Sequence, residues 1–166
     1  MAKATVTVVF DKTRKIAEAL REVSTTRVMA GVPAEKGLRQ EEDGKQAGIN
    51  NAALMYIHEH GAPDAGIPPR PVVYPAIKSI HKEVVKTLFK IGRLALEGKP
   101  KQVEQGFNAL GIMAQNAMRK RITDGPFIPD KPATLAARRA RGHKGERPLI
   151  ETGQLRRALT YVIRKI

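Results

Sequence analysis

The hydrophobic and polar positions of the chain fall into segments with distinct periods. Across residues 4–10 Thr alternates with Val until Asp11 breaks the pattern, and this period of two predicts a strand. Asp11 stands where a helix cap is expected, and Ile16, Leu20 and Val23 recur at helical spacing, which predicts a helix over 12–23. The short apolar run from Arg27 to Val32, closed by Pro33, predicts a second strand. Residues 34–49 are polar, with three glycines, and read as a mobile loop. Asn50 and Asn51 can cap a helix over 52–60 that Gly61, Ala62 and Pro63 stop. Five prolines between Pro63 and Pro75 then predict an extended arm over 62–75, stiff because proline fixes φ and unable to pair as a central strand.

From Ala76 the period becomes helical. Ile77, Ile80, Val84, Leu88, Ile91 and Leu94 form one stripe, with Lys78, Lys82, Lys86, Lys90 and Arg93 largely opposite. Gly98, Lys99 and Pro100 end that helix. A second helix is predicted over about 101–123, with Val103, Phe107, Leu110, Ala114, Ala117 and Met118 facing inward. Two such helices joined by a short Gly-Pro turn form an antiparallel hairpin. A short basic helix is expected at 133–141, inside a basic loop spanning 126–147. Thr152 can cap a further turn, and Thr160 to Lys165 alternate as a final strand. These elements predict one α+β domain over 1–166. Its small antiparallel sheet includes strands from both chain ends, the last returning to the sheet begun by the first, packed with a long helical hairpin and short helices.

Composition sharpens this picture. With 42% apolar residues but no Trp and only four Phe, the core must be aliphatic. No cysteine is present, which excludes disulfides and thiolate metal sites and fits a protein made in a reducing cytoplasm. No apolar run approaches the ~20 residues of a membrane span, and the alternating amino-terminal run reads as a strand rather than a signal peptide. The net charge of +14 is unevenly placed: residues 1–60 are near neutral, and residues 61–166 hold 21 basic against eight acidic residues. One surface is therefore expected to meet an anionic partner, nucleic acid or an acidic neighbour.

Catalytic chemistry is hard to assemble. The serines, Ser24 and Ser79, lack a nucleophile turn, and Ser79 sits in a predicted helix, where a hydroxyl faces solvent or bonds its own backbone. His58 and His60 are two positions apart, about 200° around a helix, so they do not converge on a metal as an i, i+4 pair would. Gly142-His143-Lys144-Gly145 lacks the spacing of a phosphate loop. Asp124, Asp130, Glu146 and Glu151 sit in turns among cations, where pairing is the simpler role. No catalytic, cofactor-binding or metal-binding residue is expected. Arg119, Lys120, Arg138, Arg139, Arg141 and Lys144 are the candidates for phosphate contact, without the stacking rings of a single-strand binder.

Two segments carry a resemblance. In residues 127–157, Phe127 and Pro129, then Thr134-Leu135 and Arg138-Arg139, then Leu149, Thr152, Gly153 and Leu155 resemble the virion-morphogenesis and tail-completion families of tailed bacteriophages. In residues 53–76, Ile57, Glu59 and Gly61, followed by Pro69-Arg70-Pro71, resemble the pattern of phage neck and tail-component proteins. His60 and Val72 depart from it, since Phe is common at both places. The resemblance implies a virion protein without enzymatic activity, made in the bacterial host and built into the neck. It would form a homo-oligomeric ring, six- or twelve-fold, around the DNA channel. Its partners would be the head-side connector or adaptor, the tail terminator or tail tube, and transiently the passing DNA, with no membrane. The alternative reading of the charge is a free DNA-binding protein without sequence specificity, using the basic carboxy-terminal third. A metal-dependent hydrolase at the histidines near residue 60 is a third.

Overall fold

The computed structural model describes residues 12–36, 38–39 and 48–166. The strand expected at 4–10, the cap at Asp11 and most of the loop at 34–49 lie outside these residues. Helix α1 (Thr13–Thr25) runs directly into strand β1 (Thr26–Gly31). The hydroxyls of Thr25 and Thr26 donate to the carbonyls of Arg21 and Glu22 at 2.8 and 2.7 Å, meeting acceptors that a helix end leaves free. Strand β1 pairs antiparallel with β2 (Thr160–Lys165) from Thr26 opposite Lys165 to Gly31 opposite Thr160. The last strand thus returns beside a strand near the start of the chain, and the fold is α+β.

Helix α2 (Asn51–His60) begins as the sequence predicts, with the Asn50 side chain accepting from the Ala53 amide at 2.7 Å. It ends at Gly61, whose φ of +80° suits glycine. A Cβ there would press on the Ile67 carbonyl and on Pro69.

The Pro-rich segment is not the extended arm expected over 62–75. Ala62 and Ile67 exchange backbone hydrogen bonds around a 3-10 turn at Pro63–Ala65. Helix α3 (Val73–Ser79) then starts inside the segment, with Pro75 in its first turn, where amide donors have no helical partner to lose. The reason lies upstream. The Glu59 carboxylate accepts from the amides of Val72, Val73 and Tyr74 at 2.7, 2.9 and 3.1 Å, so a side chain of α2 caps α3.

A single helix was expected from Ala76 onward, but Ile80 separates α3 from α4 (His81–Leu96). The Ser79 hydroxyl donates back to the Ala76 carbonyl at 2.7 Å and the Ile80 amide turns to Ile77, which tightens the chain there. The hairpin turn matches expectation. Gly98 has φ +71°, the Lys99 amide reaches the Leu94 carbonyl, and Pro100 opens α5 (Pro100–Asp124). Short helices α6 (Pro132–Ala140) and α7 (Gln154–Ala158) complete the order.

At 25 residues α5 is about 37 Å long, enough to serve two hydrophobic clusters. Its first half gives Val103, Phe107 and Leu110 to a cluster with Ile91, Leu94 and Ala95 of α4, against which Ala19 and Val23 of α1 pack. Its second half gives Met118 and Ile122 to a cluster with Met55, Val72, Ala76, Leu149, Leu155 and Leu159. Gly111, between the two, lies under the Tyr161 ring of β2, where a methyl group would overlap the ring carbons. Tyr161 is held there by its hydroxyl, 3.1 Å from Asn108 Oδ1. Replacing a helical glycine by alanine ordinarily favours the helix, but crowding outweighs that here. Gly111→Ala is expected to destabilise the protein by about 1–3 kcal/mol in urea unfolding, and Gly111→Ala with Tyr161→Ala to recover part of the loss.

Candidate functional site

The motif residues meet around Asp130. Its side chain is 7% exposed and is held from both sides: Oδ1 lies 2.8 Å from Arg70 Nη2, and Oδ2 lies 2.9 Å from Arg138 Nη2. Arg70 is delivered by the folded Pro-rich segment, where its amide donates to the His58 carbonyl at 2.6 Å. Its guanidinium also donates to the carbonyls of Ile128 and Pro129. Arg138, on α6, donates from Nη1 to the Arg147 carbonyl at 2.9 Å and lies 3.4 Å from Glu151. Glu151 in turn accepts from Arg141. Burial pushes the Glu151 carboxyl up, but the Arg141 hydrogen bond and the Arg141 and Arg138 charges outweigh it and hold the group below its ordinary value. Two buried arginines thus share the site with Asp130 and a partly buried Glu151, and Arg141 closes the chain of ion pairs at the surface.

This network forms one wall of a cavity of about 320 Å³ that His58, Thr134, Thr152 and Leu155 also line, with Arg39 and Lys131 bordering it. His58 is pushed down to about 4, first by burial and then by the neighbouring Arg70 charge, so its ring is neutral near pH 7. Its Nδ1 is buried without a hydrogen-bond partner among the described residues. His60 is turned to a different use: its Nδ1 lies 3.0 Å from the Tyr56 carbonyl and its ring stacks on Tyr56. Both serine hydroxyls bond their own helices, Ser24 to Arg21 and Ser79 to Ala76. The site holds charges and positions backbone.

The structure brings most of the motif residues together. Gly61, Pro69, Arg70 and Pro71 form the turn and strap that carry Arg70 to Asp130. Thr134, Thr152, Gly153 and Leu155 line the same cavity, whereas Leu135 is half-buried on α6 outside that lining. The expected Thr152 cap is modified: Gly153, at φ +71°, occupies the cap position of α7, and Thr152 Oγ1 only approaches the Gln154 amide at 3.4 Å. Leu149 holds φ +66°, an unfavoured backbone for leucine, with its side chain in the core.

The candidate phosphate contacts are dispersed. Arg138 is buried, and Arg119 donates inward to the Leu159 carbonyl at 2.8 Å. Arg141 pairs with Glu151, Arg139 with Glu146, and Lys120 with Asp124. Only Lys144 is exposed with no internal partner among the described residues. Sequence reasoning placed Asp130 among carboxylates that pair with cations and Glu59 in the resembling motif, but it did not identify either as a determinant of the site. Glu59 reaches amides 13 or more residues further on, and Asp130 joins Arg138, eight residues on, to Arg70, sixty residues back. No protein-family model, curated protein or solved structure matches this chain.

Removing the shared carboxylate leaves two buried guanidinium groups facing each other. Asp130→Asn is therefore expected to cost about 3–5 kcal/mol in urea unfolding, and Arg70→Met distinctly less, because Arg138 still neutralises Asp130. For His58 the folded pKa lies below the unfolded one, so the unfolded chain takes up the proton first as pH falls. Stability is expected to be full above about pH 6.5 and to fall as pH drops towards 4. His58→Gln should flatten the part of that dependence between about pH 6.5 and 5, read from urea midpoints.

Proposed function

We propose that this chain is a structural virion protein of a tailed bacteriophage that forms a homo-oligomeric ring in the neck around the DNA channel. It would stand between the head-side connector or adaptor and the tail terminator or tail tube. One observation carries the reading. The two segments that resemble the neck and tail-completion families, 53–76 and 127–157, lie far apart in sequence and are joined in space by the Arg70–Asp130–Arg138 lock. A motif split across the chain makes physical sense when its halves build one rigid unit. The roles found for Glu59, Gly61, Arg70 and Gly153 are architectural, as an assembly protein requires: capping, turning and bracing.

The chemistry agrees. Among the described residues the site offers paired guanidinium groups, a neutral imidazole and threonine hydroxyls, and no hydrogen bond joins the imidazole Nδ1 to a hydroxyl as a base would join a nucleophile. The alternative, a free DNA-binding protein acting through its basic carboxy-terminal third, has less support, because Arg119, Arg138 and Arg141 of that region are committed inside the chain.

Native mass spectrometry and negative-stain microscopy of the purified protein, alone and co-expressed with neighbouring tail genes, test the proposal. Rings of six or twelve copies are expected. A strict monomer that joins no tail assembly would overturn it. Duplex DNA affinity with a steep salt dependence and no ring, lost on replacement of Lys144, Arg139 and Arg141, would favour the alternative.

A further inference from the structure

Helix α4 turns one face into the core through Val84, Ile91, Leu94 and Ala95, yet its outer face is also apolar. Val85, Leu88, Phe89 and Leu96 are exposed there, Phe89 to 77%. With Gly92 they form a shallow groove, and nothing lies within 4 Å of where a Gly92 side chain would stand. At 100° per residue, Val85, Leu88, Phe89, Gly92 and Leu96 fall within one stripe of about three turns, roughly 16 Å long. Exposed apolar surface of this contiguity marks an interaction site.

The charges beside the stripe are mainly basic. Lys82, Lys86 and Lys90 recur one turn apart along one edge, all exposed and without a carboxylate partner among the described residues. Arg93 on the same edge spends part of its charge on Glu97 at 3.2 Å. The other edge turns into the core at Val84 and Ala95. We propose that this groove docks an amphipathic helix of about three turns from a partner protein, whose apolar stripe fills the groove and whose acidic edge meets Lys82, Lys86 and Lys90. This proposal does not rest on the neck reading.

Charge decides against a second copy as the occupant. The chain carries +14, and the acidic row of α1, Glu18 and Glu22, is already paired within the chain with Arg14 and Lys165. The α2 carboxylate, Glu59, is bound to the backbone of α3. Two copies of α4 packed antiparallel about a two-fold axis would also set their lysine rows side by side. The most acidic run of the sequence, Glu41-Glu42-Asp43, has Leu38 as its one apolar neighbour within a helical turn, too little to fill the groove. An anionic membrane suits the groove less well than a helix, because basic residues line only one edge and the gap over Gly92 accepts a protruding side chain.

The test uses the full chain and labelled peptides of about 15 residues that share a leucine stripe. One peptide carries glutamates beside the stripe, a second lysines there, and a third glutamates with serine replacing leucine. Saturable binding of the first alone, read by fluorescence anisotropy, is expected, weakening as salt is raised. Phe89→Ser and the pair Lys86→Glu and Lys90→Glu should each weaken it about tenfold or more. Phe89 is exposed, so its variant should fold, and circular dichroism checks this; Leu88→Ser serves as a second stripe variant. Equal binding of the lysine peptide, no binding of the glutamate peptide, or binding unchanged by both stripe variants would overturn the proposal. So would binding to vesicles of anionic phospholipid, or self-association by ultracentrifugation, that the Phe89→Ser variant abolishes.

Discussion

A carboxylate taken out of water must be met by positive charge, and Asp130 is met twice. Arg70 arrives from the strap after α2 and Arg138 from α6, while the 128–129 carbonyls and the 147 carbonyl accept from the two guanidinium groups and Glu151 lies 3.4 Å from Arg138. Four stretches of chain are thereby fixed relative to one another at a single point. Apolar residues of similar volume could often hold such a space as stably. What the ion pairs add is direction: a planar guanidinium satisfies a carboxylate and two carbonyls in only one orientation. The strap, the 126–131 turn and the loop before α7 carry little regular structure of their own, and their shape follows from this demand.

The parts of the fold written in local signals were legible. The Asn50 cap, the Gly98-Lys99-Pro100 turn and the alternation at 160–165 each need only neighbouring residues, and each element formed within a residue or two of its expected limits. The Pro-rich segment was misread because its helix depends on Glu59, whose carboxylate supplies what no residue near Val72 can. Asp124, Asp130, Glu146 and Glu151 were rightly expected to pair with cations. The same pairs remove Arg138, Arg139 and Arg141 from the pool of free charge, and burial of Arg138 could not be seen without knowing that Arg70 stands on the far side of Asp130.

Arginine and lysine have been sorted to opposite places. The buried network is built from arginines, whose delocalised charge sheds water more readily and whose forked donors reach several acceptors. The open edge of α4 is built from lysines, whose compact charge stays hydrated and has a flexible stem. The excess positive charge of the chain thus has two functions in the architecture, one spent in bracing and one left for encounter. Helix α5 keeps them apart, with the lock packed near its second half and α4 along its first.

The Arg70–Asp130 contact closes a loop of about sixty residues, and that separation has a kinetic consequence. Local elements such as the α4–α5 hairpin can form early, because little chain entropy is lost in closing them. A contact that must wait for the strap, α6 and the 142–151 loop to converge is expected late in folding, as is the β1–β2 pairing, which closes a longer loop. Interactions made that late strengthen the barrier to unfolding and leave the folding rate nearly untouched. The lock is therefore expected to act as a latch, setting how long the folded state lasts more than how quickly it is reached.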